Sequence, residues 1–193
     1  MNSRSVLELL KQRIGSASSD SAPTNRGLPQ AAVAIIINPK NEGGSVLLIR
    51  RRERQDDPWS GQVAFPGGHR SLGDRDLLET AVREASEEVG IDLARHEMLG
   101  ALQNEYSQTR RILVAPFVFQ LKTDVTLRLN QEVAESFWVS LAELSRMVST
   151  KSEVFAQNSR LLVDSYVHDG HVIWGLTFRI INTLLDRSQV NMP

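Results

Sequence analysis

Apolar and polar residues alternate along this chain in short blocks separated by turn-forming residues, a pattern typical of a mixed α and β fold. Short runs rich in Val, Ile, Leu, Phe and Trp, bounded by Gly, Pro, Asn or Asp, predict β-strands. Strands are predicted at residues 31–37, 45–51, 62–65, 98–103, 112–121, 136–139, 161–167 and 171–174. The last two predict a hairpin that turns at Asp169 and Gly170, and a polar loop is expected at 105–110.

Residues 76–90 carry the strongest helical signal. Asp76 is a residue type that caps helix N-termini, and Glu79 three residues later completes a capping-box pattern. Gly90 is the residue expected in the left-handed conformation after the last turn. The apolar residues of the segment share one face at helical spacing: Leu78, Ala81, Val82, Ala85 and Val89. Shorter amphipathic patterns predict helices at the N-terminus, at 141–147 and at 177–185.

Small polar residues and a proline mark the segment 15–29, which we interpret as a flexible connector. Residues 1–29 are therefore expected to form a short N-terminal helix and this connector, and residues 30–193 the main domain. Hairpins mixed with two or three packed helices favour an α/β or α+β sandwich over a parallel sheet built from regular β-α-β units.

The composition excludes several classes of protein. Of the 193 residues, 41% are apolar and 23% charged, which is an ordinary globular balance. Because the chain has no cysteine, it has no disulfide, no thiolate zinc site and no cysteine nucleophile. A net charge of −1 favours neither a nucleic-acid polymer nor an anionic membrane as partner. The longest apolar run, 31–37, is too short to cross a bilayer. We therefore expect a soluble, cytoplasmic protein.

Three glutamates on the predicted helix are the leading candidates for chemistry. Glu84, Glu87 and Glu88 are spaced i, i+3 and i+4, so their carboxylates share one face, which we expect to lie away from the apolar stripe. Like charges this close repel unless a cation neutralises them, and clustered oxygen ligands suit Mg²⁺ or Mn²⁺. Arg83, four residues before Glu87, can orient that carboxylate. Taken alone, such a run is more typical of a solvated acidic helix face.

A glycine pair precedes this helix and changes that interpretation. After Phe65 and Pro66, Gly67 and Gly68 let the backbone approach a ligand or an ion closely. Residues 68–91 together closely resemble the Nudix box, whose pattern is G-x5-E-x7-R-E-U-x-E-E-x-G-U with U apolar. The chain is on this basis similar to the Nudix hydrolases.

The first half of the box departs from that pattern in a way that is itself informative. One extra residue lies between Gly68 and Arg83, and Asp74 stands where the leading glutamate would be. This lengthened form resembles the branch of coenzyme A pyrophosphatases. Residues 47–68 resemble the motif that this branch carries upstream of the box, although the middle of the segment differs, and residues 173–177 also resemble the branch.

The resemblance implies an α/β (α+β) fold of the Nudix type, an α/β/α sandwich with a mixed sheet. It implies that Glu84, Glu87 and Glu88 bind catalytic Mg²⁺ or Mn²⁺, with help from the backbone near Gly68. The implied activity is metal-dependent pyrophosphohydrolysis of a small molecule that carries a nucleoside diphosphate. Coenzyme A or a derivative is the first candidate substrate.

Other candidate site residues each have an ordinary structural alternative. Glu132 is a candidate general base, or else a surface residue before a strand. Arg51 is a candidate phosphate ligand beside Gly67 and Gly68, or else a solvent-facing charge on an edge strand. Tyr106 lies in a loop that often faces substrate in such folds, with a solvated loop as its alternative.

Several functions remain open on the sequence. Other Nudix enzymes act on nucleotide sugars, ADP-ribose or damaged nucleotides, and these substrates are alternatives to coenzyme A. A Nudix-fold binding module that has lost catalysis is the alternative from another class, but the intact Arg83 and glutamates argue against it. A homodimer is also an open alternative.

Overall fold

The computed structural model describes residues 6–15, 30–40, 43–54, 61–107, 111–156 and 159–188. The helices are α1 (Val6–Gly15), α2 (Leu77–Val89), α3 (Leu141–Arg146) and α4 (Gly175–Ser188). The strands are β1 (Gln30–Asn38), β2 (Ser45–Arg51), β3 (Val63–Ala64), β4 (Gly67–His69), β5 (Glu97–Ala101), β6 (Glu105–Ser107), β7 (Ile112–Gln120), β8 (Val133–Ser140), β9 (Thr150–Ala156), β10 (Ser159–His168) and β11 (His171–Trp174). None of the described helices is long and apolar enough to cross a membrane.

The main sheet is built around β1. This strand pairs parallel with β7 and antiparallel with β2 and β4. The order β3-β2-β1-β7-β5, with β4 on β1, β6 on β7 and β8 on β2, makes the sheet mixed, as predicted. Because β1 has neighbours on both sides and layers on both faces, nearly all of its residues are buried, which explains its continuous apolar sequence.

Helices cover both faces of this sheet. The apolar stripe of α2 packs on one face, where Ala81, Ala85 and Val89 meet Ala32 and Ile36. The other face carries α1, α3 and α4, whose buried residues form a single cluster with β1, β2 and β7. The predicted α/β/α sandwich with a mixed sheet is therefore confirmed.

The N-terminal helix is an integral part of the second layer. Leu10 and Ile14 of α1 are fully buried in the same cluster as Ile181 and Leu184 of α4. The predicted helix is thus confirmed, and it includes Gly15, which the sequence assigned to the connector 15–29. The rest of the connector, residues 16–29, lies outside the described residues. The proposed division of the chain at residue 29 stays a prediction.

A second sheet of order β11-β10-β9 stands beside the first. The predicted hairpin of β10 and β11 is confirmed, and its turn residues Asp169 and Gly170 have φ angles of 46° and 82°. Strand β9 was not predicted. From Lys151 onward its residues alternate between exposed and less exposed positions, but the residue types do not follow this alternation, because residues 150–153 are all polar and Val154 and Phe155 are adjacent. The local sequence therefore carries little strand signal.

Two further predictions on the main sheet need correction. The loop expected at 105–110 is wrong for residues 105–107, which form β6 and pair with β7; residues 108–110 lie outside the described part of the chain. The strand predicted at 62–65 was expected to stop at the glycine pair, but the chain pairs again with β1 as β4. Glycine has a low strand propensity, so only the partner strand makes this pairing favourable.

The boundaries of α2 agree with the caps expected from the sequence. The side chain of Asp76 accepts a hydrogen bond from the Glu79 N–H, and Gly90 has a φ of 74°. The reciprocal bond of a capping box is displaced by one residue, because the Glu79 carboxylate accepts from the N–H of Arg75. The helix that carries the candidate glutamates thus begins and ends at defined residues.

Candidate active site

The glycine pair brings β4 unusually close to its neighbours. A Cβ atom at Gly67 would lie 2.3 Å from the carbonyl oxygen of Ala32 and 2.7 Å from the Cα of Val33, so only glycine fits there. A Cβ atom at Gly68 would lie 2.5 Å from the carboxyl carbon of Glu84. Gly67 therefore allows β4 to lie close against β1, and Gly68 allows the Glu84 side of α2 to rest directly on the backbone of β4.

The three glutamates of α2 differ sharply in exposure. Glu88 is 3% exposed, whereas the side chains of Glu84 and Glu87 are 16% and 55% exposed. The expectation that all three lie away from the apolar stripe is wrong for Glu88, which follows Ala85 and precedes Val89 at the border of the buried face. A buried carboxylate at this position also argues against a merely solvated acidic face.

Glu88 is bound by a backbone N–H group and has charged side chains near it. Its carboxylate accepts a hydrogen bond from the Gly67 N–H at 2.8 Å. Burial raises the pKa of Glu88 to about 7; the Gly67 N–H and the charge of Arg51 oppose this rise, and the charges of Glu84 and Glu132 add to it. Glu132 and Arg51 therefore lie close enough to interact electrostatically with Glu84 and Glu88, although they come from outside α2.

Arg83 organises the other two glutamates. Its Nη1 donates to Glu84 at 2.8 Å and to Glu87 at 3.1 Å, so the predicted orientation of Glu87 is confirmed. The same guanidinium donates to the carbonyl oxygen of His69 at 3.1 Å, which links α2 to the end of β4. Burial raises the pKa of Glu84, and this rise is opposed by Arg83 and increased by Glu87 and Glu132.

Asp74 holds Arg83 from the opposite side. Two parallel hydrogen bonds of 2.9 Å join the guanidinium Nε and Nη2 to the carboxylate of Asp74, which is 6% exposed. Thr80 Oγ1 and the N–H of Ser71 also donate to this carboxylate, at 2.9 and 2.8 Å. These donors, Arg83 foremost, hold the pKa of Asp74 well below its usual range. The sequence placed Asp74 in the motif but did not indicate that it would hold Arg83.

The structure brings Arg51 and Glu132 to the same end of the sheet. The edge-strand alternative for Arg51 is wrong, because β2 lies between β1 and β8. Glu132 lies in the turn before β8, where its carbonyl oxygen accepts from the N–H of Arg52 at 2.7 Å and its carboxylate lies 3.5 Å from Arg54. Both residues act on the pKa of Glu88, so their placement agrees with a shared site, while their roles stay predictions.

A cavity of about 800 Å³ opens beside the glycine pair, with Arg51 at its wall. Its other walls come from β1, β6, β7, the second sheet and the start of α4. They include the following side chains: Val33, Tyr106, Val114, Lys151, Leu161, Leu162, Asp164, Trp174, Leu176, Phe178 and Arg179. Tyr106 faces this cavity from β6. Lys151 was missed because β9 was not predicted, whereas Leu161, Leu162 and Asp164 were missed because the place of the predicted β10 relative to the main sheet depends on tertiary structure. Phe65 also reaches it but is 2% exposed and packs in the core.

Some positions of the sequence analysis fall outside the described residues. They are residues 55–60, in the middle of the motif upstream of the box, and residues 108–110 after β6. The described part of that upstream motif ends at Arg54 and resumes at Gly61. The structure therefore places both ends of this motif, β2 and the segment leading to the glycine pair, next to the glutamates.

The described residues have the donors that a hard divalent cation requires. No group of three or more Asp, Glu or His side chains in the described ranges is arranged to hold a metal ion by itself. Mg²⁺, however, commonly binds only one or two carboxylates and takes water and substrate phosphates as further ligands. The mutually repelling carboxylates of Glu84 and Glu88, packed on bare glycine backbone, fit such an open site.

Comparison with known proteins agrees with this geometry. Residues 27–158 match the NUDIX domain. An uncharacterised protein of Schizosaccharomyces pombe is 40% identical over 129 residues, which is 63% of this chain and 39% of that protein's length. An uncharacterised Nudix hydrolase, NudL, from Photorhabdus laumondii is 37% identical over 158 residues, covering 81% of this chain and 82% of the relative.

One relative has a named substrate. The mitochondrial coenzyme A diphosphatase NUDT8 of Mus musculus is 31% identical over 157 residues, covering 79% of this chain and 75% of the relative. Among solved structures, a MutT/nudix family protein from Enterococcus faecalis superimposes with a TM-score of 0.56 at 14% identity, covering 96% of this chain and 75% of that one. This last similarity concerns the fold alone.

Proposed function

Because the chain belongs to the Nudix hydrolase family, enzymes that act on phosphoanhydrides, we propose that it cleaves the diphosphate of coenzyme A or a derivative of it. The family and the hydrolase class predicted from the sequence are confirmed. The substrate and the roles of individual residues are our proposals.

The observation that carries the proposal is the convergence of Glu84, Glu88, Arg51 and Glu132 around the glycine pair. Glu84, Glu87, Glu88 and the backbone at Gly68 would hold Mg²⁺ or Mn²⁺. When bound, such a cation neutralises phosphate charge and lowers the pKa of a coordinated water. A cluster that is repulsive without a cation becomes favourable with one, which explains why these carboxylates are gathered here.

The chain's own residues supply orientation and proton transfer. Arg83 fixes the carboxylates of Glu84 and Glu87 through its 2.8 and 3.1 Å hydrogen bonds. Arg51, at the cavity wall, would bind the diphosphate through its paired donors. Glu132 would accept the proton of the attacking water, because among the described residues it is an acidic group that approaches Glu84 and Glu88 from outside α2.

The cavity supports a substrate with a large group beyond the diphosphate. Its volume of about 800 Å³ and its mixed walls, in which apolar side chains such as Leu161 and Phe178 stand beside charged ones, would accept a long, weakly polar arm such as pantetheine. The similarity to the mouse coenzyme A diphosphatase points to the same substrate. A small-molecule diphosphate is therefore the proposed partner, and neither a nucleic-acid polymer nor a membrane is proposed.

The compartment is likewise a proposal. We propose that the protein acts in the cytoplasm, as predicted from the sequence, although one relative is named as mitochondrial. Fluorescence localisation of the tagged full-length protein in its own cell would test it.

Steady-state kcat/KM across a panel of diphosphates tests the proposed substrate. We expect hydrolysis of coenzyme A with Mg²⁺ or Mn²⁺, and weaker activity on ADP-ribose, nucleotide sugars and oxidised nucleotides. Preference for one of these others by more than about a hundredfold, about 2.7 kcal/mol at the transition state, would exclude coenzyme A as the substrate. Tight binding of any panel member without metal-dependent turnover would instead indicate a binding module.

A further inference from the structure

Strand β9 is an edge strand of the second sheet. It pairs with β10 on one side, and no strand in the described ranges pairs with its other side. A free edge of seven residues presents unpaired backbone N–H and C=O groups that can template another strand. This edge therefore offers backbone hydrogen bonds to a partner.

Exposed apolar side chains are concentrated around this edge. Phe155 on β9 is 74% exposed, and Leu162 on the paired strand β10 is 70% exposed. Val148, just before β9, and Val167 on β10 are exposed as well. These four make up half of the eight large hydrophobic residues that are exposed in the described part of the chain. Phe155 and Leu162 project from the same face of the second sheet, because Glu153, two residues before Phe155, pairs with Leu162. This exposed apolar pair indicates a surface that is covered in the working protein.

The charges of β9 are complementary to those of a second copy of the same strand. Lys151 and Glu153 are two residues apart, so they point to the same face of the sheet. If two copies of β9 pair antiparallel about a two-fold axis at Ser152, Lys151 of each copy lies directly opposite Glu153 of the other. Because of the two-fold symmetry, the contact between Lys151 and Glu153 occurs twice in the dimer. The same register places Phe155 of one copy diagonally across from Lys151 of the other.

We infer that β9 is the contact strand of a symmetric homodimer, in which the two three-stranded sheets join into one continuous antiparallel sheet. The in-chain ion pairs of Lys151 with Asp164 at 2.8 Å, and of Glu153 with Arg160 at 3.0 Å, hold both charges on the exposed face where the partner meets them. Because Lys151 and Leu162 also line the cavity, the dimer contact lies next to its outer wall.

Charge reversal on the full-length chain tests this arrangement, with mass measured by sedimentation velocity across micromolar concentrations. We expect the wild-type chain to sediment as a dimer. Lys151→Glu and Glu153→Lys should each weaken the dimer at least about tenfold, because each puts like charges opposite each other twice. Lys122→Glu, the same charge change at an exposed position outside the second sheet, should leave the mass unchanged.

The double variant Lys151→Glu with Glu153→Lys separates pairing between chains from damage within one chain. It restores opposite charges between copies but leaves Asp164 and Arg160 each facing a like charge in their own chain. Recovery of the dimer supports the inference. Three results would overturn the inference. The wild-type chain could be a monomer, the dimer could be unaffected by both single charge reversals, or the double variant could fail to restore the dimer that the single variants had lost. Circular dichroism of each variant verifies folding, and Phe155→Ser, at an exposed position, should weaken the dimer without charge repulsion.

Discussion

The guanidinium of Arg83 joins three parts of the site. It donates to Glu84 and Glu87 on its own helix, to the carbonyl oxygen of His69 at the end of β4, and to Asp74 in the loop between them. Asp74 is buried and accepts two further hydrogen bonds, so the guanidinium is held in one orientation. The positions of two glutamates thus depend on a planar group with several fixed donors.

Arg83→Lys should therefore lower kcat at least about tenfold with the fold retained. An ammonium group is a point charge and cannot donate to Asp74, Glu84 and Glu87 in the geometry of the guanidinium fork. Arg75→Lys is the matched control, because Arg75 contacts the exposed Glu79 outside the site. Equal turnover of the Arg83 and Arg75 variants would show that any cation is sufficient at residue 83.

Asp74→Asn should lower the free energy of unfolding by about 3 kcal/mol at neutral pH, because it removes one partner of a buried, doubly bonded ion pair. The pKa of Asp74 is lowered in the folded state, so its stabilising contribution is complete above its unfolded pKa of about 3.9. The contribution is lost as the pH falls through the lower, folded value. Urea titrations should show the gap between wild type and variant narrowing only below about pH 4; a gap that is constant down to pH 2 would contradict this account.

Glu87→Gln and Glu88→Gln should each lower turnover at least about a hundredfold, because an amide keeps the shape but removes a charged metal ligand. Glu97→Gln on β5, which lies beside Lys11 away from the glycine pair, should retain activity. Circular dichroism would verify that all three variants fold. Near-normal turnover of both helix variants at saturating Mg²⁺ would exclude these carboxylates from the reaction.

At the scale of elements, the site depends on the contact between α2 and β4. The helix can rest on the strand because Gly68 carries no side chain, while the absence of a side chain at Gly67 lets β4 lie close against β1. The close contact makes the Gly67 N–H available to Glu88 and places the Glu84 carboxylate over Gly68. Small displacements of these carboxylates should therefore affect activity more than stability.

Gly68→Ala should reduce activity at least about tenfold while the protein remains folded. The new methyl would meet the Glu84 carboxyl group, the movable end of a side chain, so Glu84 shifts while the backbone stays in place. Gly73→Ala is the control, because a Cβ there meets no atom within 4 Å. Unchanged kinetics of Gly68→Ala would mean that the position of Glu84 is not critical.

For the molecule as a whole, the N-terminal helix is part of the main core. Leu10→Ala should destabilise the protein by about 3 kcal/mol, because the leucine is fully buried among residues of α1, α4 and the sheet. Leu72→Ala, the same change at a fully exposed loop position, should alter stability by less than about 0.5 kcal/mol. Equal urea midpoints for the two variants would show that α1 does not contribute to global stability.

Features set by neighbouring residues were predictable from the sequence. The caps of α2 depend on Asp76 and Gly90, and the spacing of Arg83 and the glutamates follows from one helix. The apolar runs of β1, β2 and β7 identified buried strands because burial on both faces demands continuous apolar sequence. The Nudix box spans only residues 68–91, so the family and the hydrolase class of the chain could be predicted from this one segment.

Features that depend on distant residues were decided by the tertiary structure. Burial of Glu88, the approach of Arg51 and Glu132, and the cavity wall formed by β9 and β10 bring together residues far apart in the chain. Strands β4, β6 and β9 exist because a partner strand satisfies their backbone. Glycine in β4 has weak strand propensity, and β9 lacks the alternation of polar and apolar residues that identifies a strand in sequence. Local sequence determines the chemistry that α2 offers, whereas packing across the sheet decides how strongly each carboxylate is desolvated and which groups face the substrate.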